Sequence, residues 1–164
     1  MLPFDLRLAY QSRHWLTVPF ELGHDEIDST THCEMRLAPD IVEIFKEIGL
    51  ETPQAIPVLA LDHQVAQKLH ACTSVNPKTG GNERAHDLVD LQILAREETL
   101  NMVAIAETAE RLFAARKLHL WPPTVVAHHN WATIYAEAAN GLDVIENVDE
   151  AVRWTNDFIA KTQG

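Results

Sequence analysis

The stretch Ala66–Leu94, AQKLHACTSVNPKTGGNERAHDLVDLQIL, decides the fold, because it contains two apolar segments of helical character and the loop between them. The loop VNPKTGGNE consists mainly of residues that are typical of turns. The second helical segment carries Asp87 and Asp90 among leucine, valine and isoleucine side chains. Residues three apart on a helix share one face, with β-carbons about 5 to 6 Å apart, so the two carboxylates repel each other.

Two carboxylates on an apolar helix require compensating cations, since a dry and unpaired carboxylate costs several kcal/mol. Arg84 lies one helical turn before Asp87, and Lys68 lies on the preceding helix. We therefore expect Lys68 and Arg84 to converge on the two aspartates in one cleft. The residues alone leave two interpretations open: a salt bridge that holds the fold, with Asp87 at the positive end of the helix dipole, or a functional site.

Helical periodicity dominates the carboxyl-terminal part of the chain. Apolar residues at helical spacing predict helices over 84–96, 99–117, 130–139 and 148–161, and the prolines of WPP at 121–123 interrupt the run. Four aromatic residues, in two pairs four positions apart, are predicted to lie in the core: Trp131, Tyr135, Trp154 and Phe158.

Two further helices are predicted upstream. The first begins at Pro39 and ends at Gly49. The second has Asp62 as its cap and buries Val65 and Leu69 on one side. The segment IPVLAL between these helices is predicted to be extended, as a strand.

The amino-terminal segments FDLRLAY and HWLTVPFEL alternate apolar and polar residues, which is typical of half-buried strands. If both apolar faces point to one core, paired residue numbers sum to an even value such as 26. That register places Leu8 beside Val18 and Asp5 beside Glu21. Pro19 cannot donate to a ladder, so the second strand is expected to be bulged or at an edge there.

Together these elements predict an α+β fold in a single domain over residues 1–164. A small antiparallel β-rich part occupies 1–60, and a mainly helical bundle occupies 61–164. With 164 residues and 46% apolar content, the chain is long enough to bury a core without disulfides or metals.

The charge and cysteine content narrow the functional classes. With 24 acidic residues against 13 lysines and arginines, the net charge of -11 disfavours binding to an extended phosphate backbone, although local basic groups can still bind one phosphate.

Cys33 and Cys72 show no pairing pattern, which indicates free thiols in a reducing compartment. No apolar run is long enough for a signal peptide or a membrane span, so we expect a cytoplasmic protein.

The residues around the loop also resemble a known family. IPVLALDHQVAQKLHACTS followed by ERAHDLVDLQIL is similar to the later part of the AbiEii/AbiGii nucleotidyltransferase toxins, which share the DNA polymerase β-like nucleotidyltransferase fold. The shared pattern is Lys-Leu-His-Ala at 68–71, a variable loop, then Arg84, Asp87 and an Asp-Leu pair at 90–91. The resemblance covers residues 53–164, and the amino-terminal strands more loosely.

This resemblance implies transfer of a nucleotide from a nucleoside triphosphate (NTP) to an acceptor such as a tRNA end. The protein would be the toxin half of a toxin-antitoxin or phage-defence pair, with an antitoxin as its partner. The resemblance implies that Lys68 and Arg84 bind the substrate, with Lys68 as a point charge on the triphosphate. It makes Lys68, Asp87 and Asp90 the catalytic candidates, with one of the two aspartates orienting the triphosphate or the acceptor hydroxyl. An active enzyme of this kind uses Mg²⁺ with the NTP.

The sequence departs from the family at the metal-binding element. Nucleotidyltransferases of this fold carry a Gly-Ser or Gly-Gly turn followed by an Asp-x-Asp pair that binds two Mg²⁺ ions. The 164 residues contain no Asp-x-Asp, and Glu21 is the one candidate for the third acid of the fold. We therefore expect a catalytically incomplete chain without a metal site of its own, either a family member that starts late or one half of a split enzyme.

Two other functions stay open. Without the Asp-x-Asp pair, the chain is also consistent with a non-enzymatic remnant that binds or regulates a partner protein. The His-Asp pair at 86–87 instead suggests a metal phosphohydrolase. Its remaining ligands would come from His63 or His70 and from Asp143 or Asp149, although their spacing matches no ligand signature.

Overall fold

A computed structural model describes residues 2–164 and begins with an antiparallel hairpin. Strand β1 spans Leu2–Tyr10 and strand β2 spans Arg13–Leu22. The two residues between them, Gln11 and Ser12, both have positive φ, at 47° and 60°. This is the backbone of a two-residue hairpin turn whose twist matches that of the strands.

The predicted register of the hairpin is wrong. From Leu2 to Leu8, each residue of β1 pairs with a residue two positions away from its predicted partner on β2. Leu6, not Leu8, lies opposite Val18, and Asp5 lies opposite Pro19 instead of Glu21. The two-residue turn, together with a bulge that leaves Trp15 unpaired, sets this tighter pairing. Because the sum of paired residue numbers stays even, the apolar residues of both strands still share one face, as predicted.

The expectation that the apolar faces of both strands point into a core is wrong, because the shared apolar face is exposed. Phe4 and Phe20 stack on each other with ring centroids 5.4 Å apart. They nevertheless remain 49% and 43% exposed, and their neighbours Leu6 and Leu16 are exposed as well. The two strands pack chiefly on each other, and the apolar face is open among the described residues.

A second small sheet connects the hairpin to the helical body. Strand β3 spans Cys33–Arg36 and pairs antiparallel with β4, Ile56–Leu59, which confirms the predicted strand in IPVLAL. Helix α1, Pro39–Glu47, lies between them, and Gly49 follows it with φ 71°, in agreement with the prediction. The apolar side chains of α1 are largely exposed.

Five helices lie within residues 61–164, and the predicted bounds of each are confirmed within a few residues. The predicted cap is the exception, because the Asp62 carboxylate does not cap the helix that begins at Leu61. It accepts a hydrogen bond from the hydroxyl of Thr108 instead, and Ala60 stands at the cap position. The helices are α2 (Leu61–Thr73), α3 (His86–Glu97), α4 (Met102–Arg116), α5 (Trp131–Ala139) and α6 (Val148–Lys161).

The core lies among these five helices. Val65 and Leu69 of α2 are fully buried as predicted, and they belong to one apolar cluster with residues of α3, α5 and α6. Of the predicted core aromatics, Trp131, Tyr135 and Phe158 are buried, and Trp154 is half-buried against the same cluster. The α+β fold class is thus confirmed. None of the helices within residues 2–164 is both long and apolar enough to cross a bilayer.

A buried polar network joins α3 to α5 and to the loop that precedes α6. The hydroxyl of Tyr135 accepts from the side-chain amide of Gln92 at 2.9 Å and donates to the carbonyl of Ile145 at 2.5 Å. Gln92 in turn accepts from the backbone N–H of Ile145 at 2.9 Å. Each polar group is satisfied, so the network fixes how α5 sits on α3.

The change Tyr135→Phe removes the hydroxyl from this network and leaves the Ile145 carbonyl without its donor. We expect the free energy of unfolding to fall by about 1 to 2 kcal/mol in urea titration. Tyr10 lies exposed on the hairpin, so Tyr10→Phe is the matched control and should leave the stability within about 0.5 kcal/mol. Equal losses in the two variants would contradict this account of the core.

Candidate functional site

The structure brings Lys68 of α2 together with Asp87 and Asp90 of α3. Lys68 Nζ lies 2.6 Å from an Asp90 carboxylate oxygen and 3.5 Å from an Asp87 oxygen. Helices α2 and α3 pack side by side, so the amine reaches from one helix to both acids of the next. The Lys68 ammonium thus pairs with both carboxylates, which offsets the repulsion between them.

Arg84, just before α3, completes the cluster. Its Nε donates to one Asp87 oxygen at 2.7 Å, and its Nη2 donates to the other at 3.2 Å. The Asp87 carboxylate is 0% exposed and receives hydrogen bonds from two cations, whereas Asp90 is 42% exposed. Burial of Asp87 is tolerated because both of its oxygens are paired. The two aspartates therefore have different environments: Asp87 is enclosed, and Asp90 faces solvent.

Asn82 holds Arg84 in position, and sequence reasoning missed this residue. Its side-chain amide donates to the carbonyls of Ala71 and Ser74 at the end of α2, at 2.8 and 2.5 Å. Its side-chain oxygen accepts from the backbone N–H of Arg84 at 2.6 Å. Its own carbonyl accepts from the indole N–H of Trp131 at 2.7 Å. One buried amide thus ties the helix end, the arginine and the core together. The only sequence signal was an asparagine at the end of a glycine-rich loop.

A pocket opens on the solvent side of the cluster. Its volume is about 270 Å³, and Gln64, Gln67, Lys68 and Arg84 line it. Lys68 remains partly exposed and Arg84 about half-exposed, so both cations reach the pocket while they hold Asp87. Two cations flanked by two amides form a lining suited to an anionic ligand with several oxygens.

The other candidate residues lie elsewhere. Glu21 is exposed on β2 opposite Pro3, and no hydrogen bond or ion pair connects it to the cluster. His86 is adjacent, with Nε2 4.0 Å from an Asp87 oxygen, while the side chain of Asp143 is fully exposed. Within residues 2–164, no three histidine, cysteine, aspartate or glutamate side chains converge as a metal site requires.

The two histidines proposed as metal ligands are buried in separate surroundings. His63 lies beneath His32, with ring centroids 6.4 Å apart. His70 packs against Phe113 and His119, and its Nδ1 lies 3.1 Å from the Arg116 guanidinium. Burial, followed by the charge of Arg116 and by His119, lowers the pKa of His70 to about 4. His70 is therefore a neutral acceptor for Arg116 near neutral pH.

Comparison with known families gives one match. Residues 7–157, nearly the whole chain, match the family described as nucleotidyl transferase AbiEii toxin, Type IV TA system. The match covers the end of β1, all of β2, the second sheet and the Lys68 cluster. No curated protein matches the chain at a significant level.

Removal of the buried charge tests the cluster as a structural unit. Asp87→Asn leaves two cations facing a neutral amide, so we expect a loss of about 2 kcal/mol in the free energy of unfolding. Asp90→Asn removes a half-exposed partner and should cost less than about 1 kcal/mol. Urea titration of both variants gives the comparison, and a larger loss for Asp90→Asn would refute the assignment of Asp87 as the enclosed acid.

The buried neutral state of His70 predicts an acid sensitivity. Unfolded chains bind this proton at the usual pKa of 6.5, and the folded chain only near 4. Stability is therefore lost as the pH falls from 6.5 toward 4, by up to about 3 kcal/mol. Unfolding measured across that range should show a weaker pH dependence in His70→Gln, whereas His14→Gln, which changes an exposed histidine, should retain the slope. An unchanged slope in His70→Gln would contradict the proposed burial effect.

Proposed function

The chain belongs to the AbiEii nucleotidyl transferase toxin family of Type IV toxin-antitoxin systems, and on that premise we propose that the Lys68 cluster is its NTP site. The acceptor that we propose is the end of a tRNA or a similar nucleic acid. We also propose that the described chain is catalytically incomplete. The observation that carries the proposal is the pocket beside Asp87, where Lys68 and Arg84 are both fixed and accessible.

The geometry supports a role for Lys68 and Arg84 in binding the triphosphate. Phosphoryl and nucleotidyl transfer depend on positioning and on stabilisation of negative charge, rather than on a covalent role for the protein. Lys68 supplies a point charge, and Arg84 supplies planar N–H donors beyond the two that it directs to Asp87. Asp87 holds these cations in place, so it is a positioning residue in this proposal.

Asp90 is the acid that is placed to meet a substrate. Its carboxylate is half-exposed and pairs only with Lys68, which a bound triphosphate would also attract. When phosphate oxygens draw the lysine away, Asp90 becomes free to accept a hydrogen bond from an acceptor hydroxyl or from the nucleotide sugar. The proposed roles are therefore triphosphate binding for Lys68 and Arg84, and substrate orientation for Asp90.

The residues present do not fit the Mg²⁺ ions that an active enzyme of this family requires. Asp87 is enclosed by two cations, Asp90 is paired with one, and Glu21 lies on the separate hairpin. Mg²⁺ prefers several oxygen ligands that are free of competing cations. These residues therefore support no catalytic step through a metal, and this mismatch is the basis for proposing an incomplete active site.

One observation favours a second function, binding of a partner protein. The apolar face of the hairpin, which contains Phe4, Leu6, Leu16 and Phe20, is open and contiguous. A patch of this kind on a soluble protein commonly marks an interaction site. The family is defined within toxin-antitoxin systems, so an antitoxin is the expected partner.

Nucleotide binding and transfer test the two parts of the proposal separately. A fluorescent NTP should bind the wild-type chain, and Lys68→Ala should weaken that binding by about tenfold through loss of a charge-assisted contact. Lys46→Ala, on the exposed surface of α1, is the matched control and should bind as the wild type does. With labelled NTPs, Mg²⁺ and total tRNA, the wild-type chain should show little or no transfer.

Two results would contradict these expectations. If the wild-type chain does not bind NTP, or if Lys68→Ala and Lys46→Ala bind it equally, the cluster is a structural ion pair only. Strong labelling of tRNA that Lys68→Ala abolishes would show instead that the active site is complete.

A further inference from the structure

A larger pocket lies on the other side of Arg84. Its volume is about 900 Å³, and it is formed by the end of α2, the loop 74–84 and two later segments around residues 118 and 129–130. This volume is within the range of small-ligand sites in proteins. We call it the loop pocket.

The loop that forms this pocket is closed by its own hydrogen bonds. The backbone N–H of Asn76 donates to the Gly81 carbonyl at 2.9 Å, and the Gly80 N–H donates to the Asn76 carbonyl at 2.8 Å. Gly80 has φ 67°, a left-handed conformation that favours glycine. The anchor provided by Asn82 fixes the other end of the loop. The pocket is thus a formed feature of the fold.

The lining of the loop pocket has a cationic part and an apolar part. Lys78, Arg84 and His129 are the basic groups, and Glu83 is the one acid among the lining residues. This local excess of basic groups occurs in a chain with a net charge of -11. The apolar part consists of Val75, Pro77, Leu118 and Ala71.

We infer that the loop pocket binds the terminal nucleotide of the acceptor strand. The phosphate pairs with Lys78 and Arg84, and one face of the base packs on the aliphatic residues of the lining. Arg84 belongs to both pockets, so a nucleotide bound here lies next to the triphosphate site. The net negative charge of the chain limits the contact to the end of the strand.

This inference rests on the proposed function, but its test does not require catalysis. The probe is a short single-stranded RNA with a 5′ fluorophore and a free 3′ hydroxyl, and binding is followed by fluorescence anisotropy. Lys78→Glu should weaken binding by about tenfold or more, since it reverses a charge that contacts phosphate. It should also reduce the slope of log K against log salt by about 0.7.

Matched variants separate the pocket from general electrostatics. Lys46→Glu makes the same charge change on the exposed surface of α1, outside the pocket lining, and it should change binding by less than about twofold. Leu118→Ala, at a largely exposed lining residue, should weaken binding by about fivefold through loss of apolar contact with the base. Circular dichroism checks that each variant is folded.

Several outcomes would overturn the inference. Equal weakening by Lys78→Glu and Lys46→Glu would show that only overall charge matters. If the wild-type chain binds NTP but no RNA, the loop pocket fails while the NTP site stands. If Lys78→Glu weakens NTP binding as much as RNA binding, the pocket belongs to the donor nucleotide. Competition by a nucleoside monophosphate as effective as that by the unlabelled strand would identify a free nucleotide, not a strand end.

Discussion

The pairing of the enclosed carboxylate of Asp87 with Lys68 and Arg84 is the constraint on which the rest of the structure depends. An acid that is fully buried requires partners at fixed distances, and these partners come from a helix and from a loop that the chain must bring together. The loop 74–84 therefore has to close, α2 and α3 have to pack side by side, and Asn82 has to hold Arg84 against both. A site with exposed cations results from this structural requirement.

In this arrangement, a structural salt bridge is compatible with the proposed substrate site. Asp87 pairs with Lys68 and Arg84, Asp90 supplies the second negative charge, and both cations stay partly exposed, with N–H donors available for a ligand. Asp90 is half-exposed and shares only Lys68. The two acids, identical in chemistry and three residues apart, thus have different environments, because one faces the core and the other faces solvent.

The sequence was most informative where one physical rule determines the structure. Helical spacing of apolar residues predicted α2 to α6, and the need to compensate Asp87 predicted the approach of Lys68 and Arg84. The hairpin register failed because alternation fixes only which residues share a face, and the turn then selects among registers of equal parity. The open apolar face was not predictable either, because a pattern shows that a face is apolar but not what covers it. Asn82 was missed because its role depends on contacts with the end of α2 and with Trp131, as well as with its neighbour Arg84.

Arg84 connects the buried ion pair with the two pockets. The basic groups around it provide local positive charge on a chain whose net charge is negative. Long-range attraction of a polyanion is weak for such a chain, so affinity has to come from short-range contacts within formed pockets. Arg84 lines a small pocket with Lys68 and a larger one with Lys78, and its backbone and its side chain are both anchored. A fixed planar cation between two pockets keeps two anionic ligands adjacent and partly screens their mutual repulsion. In the proposed function, a triphosphate and a nucleic-acid end repel each other in the same way, and the residue that we propose offsets this repulsion is also the one that pairs with the buried Asp87.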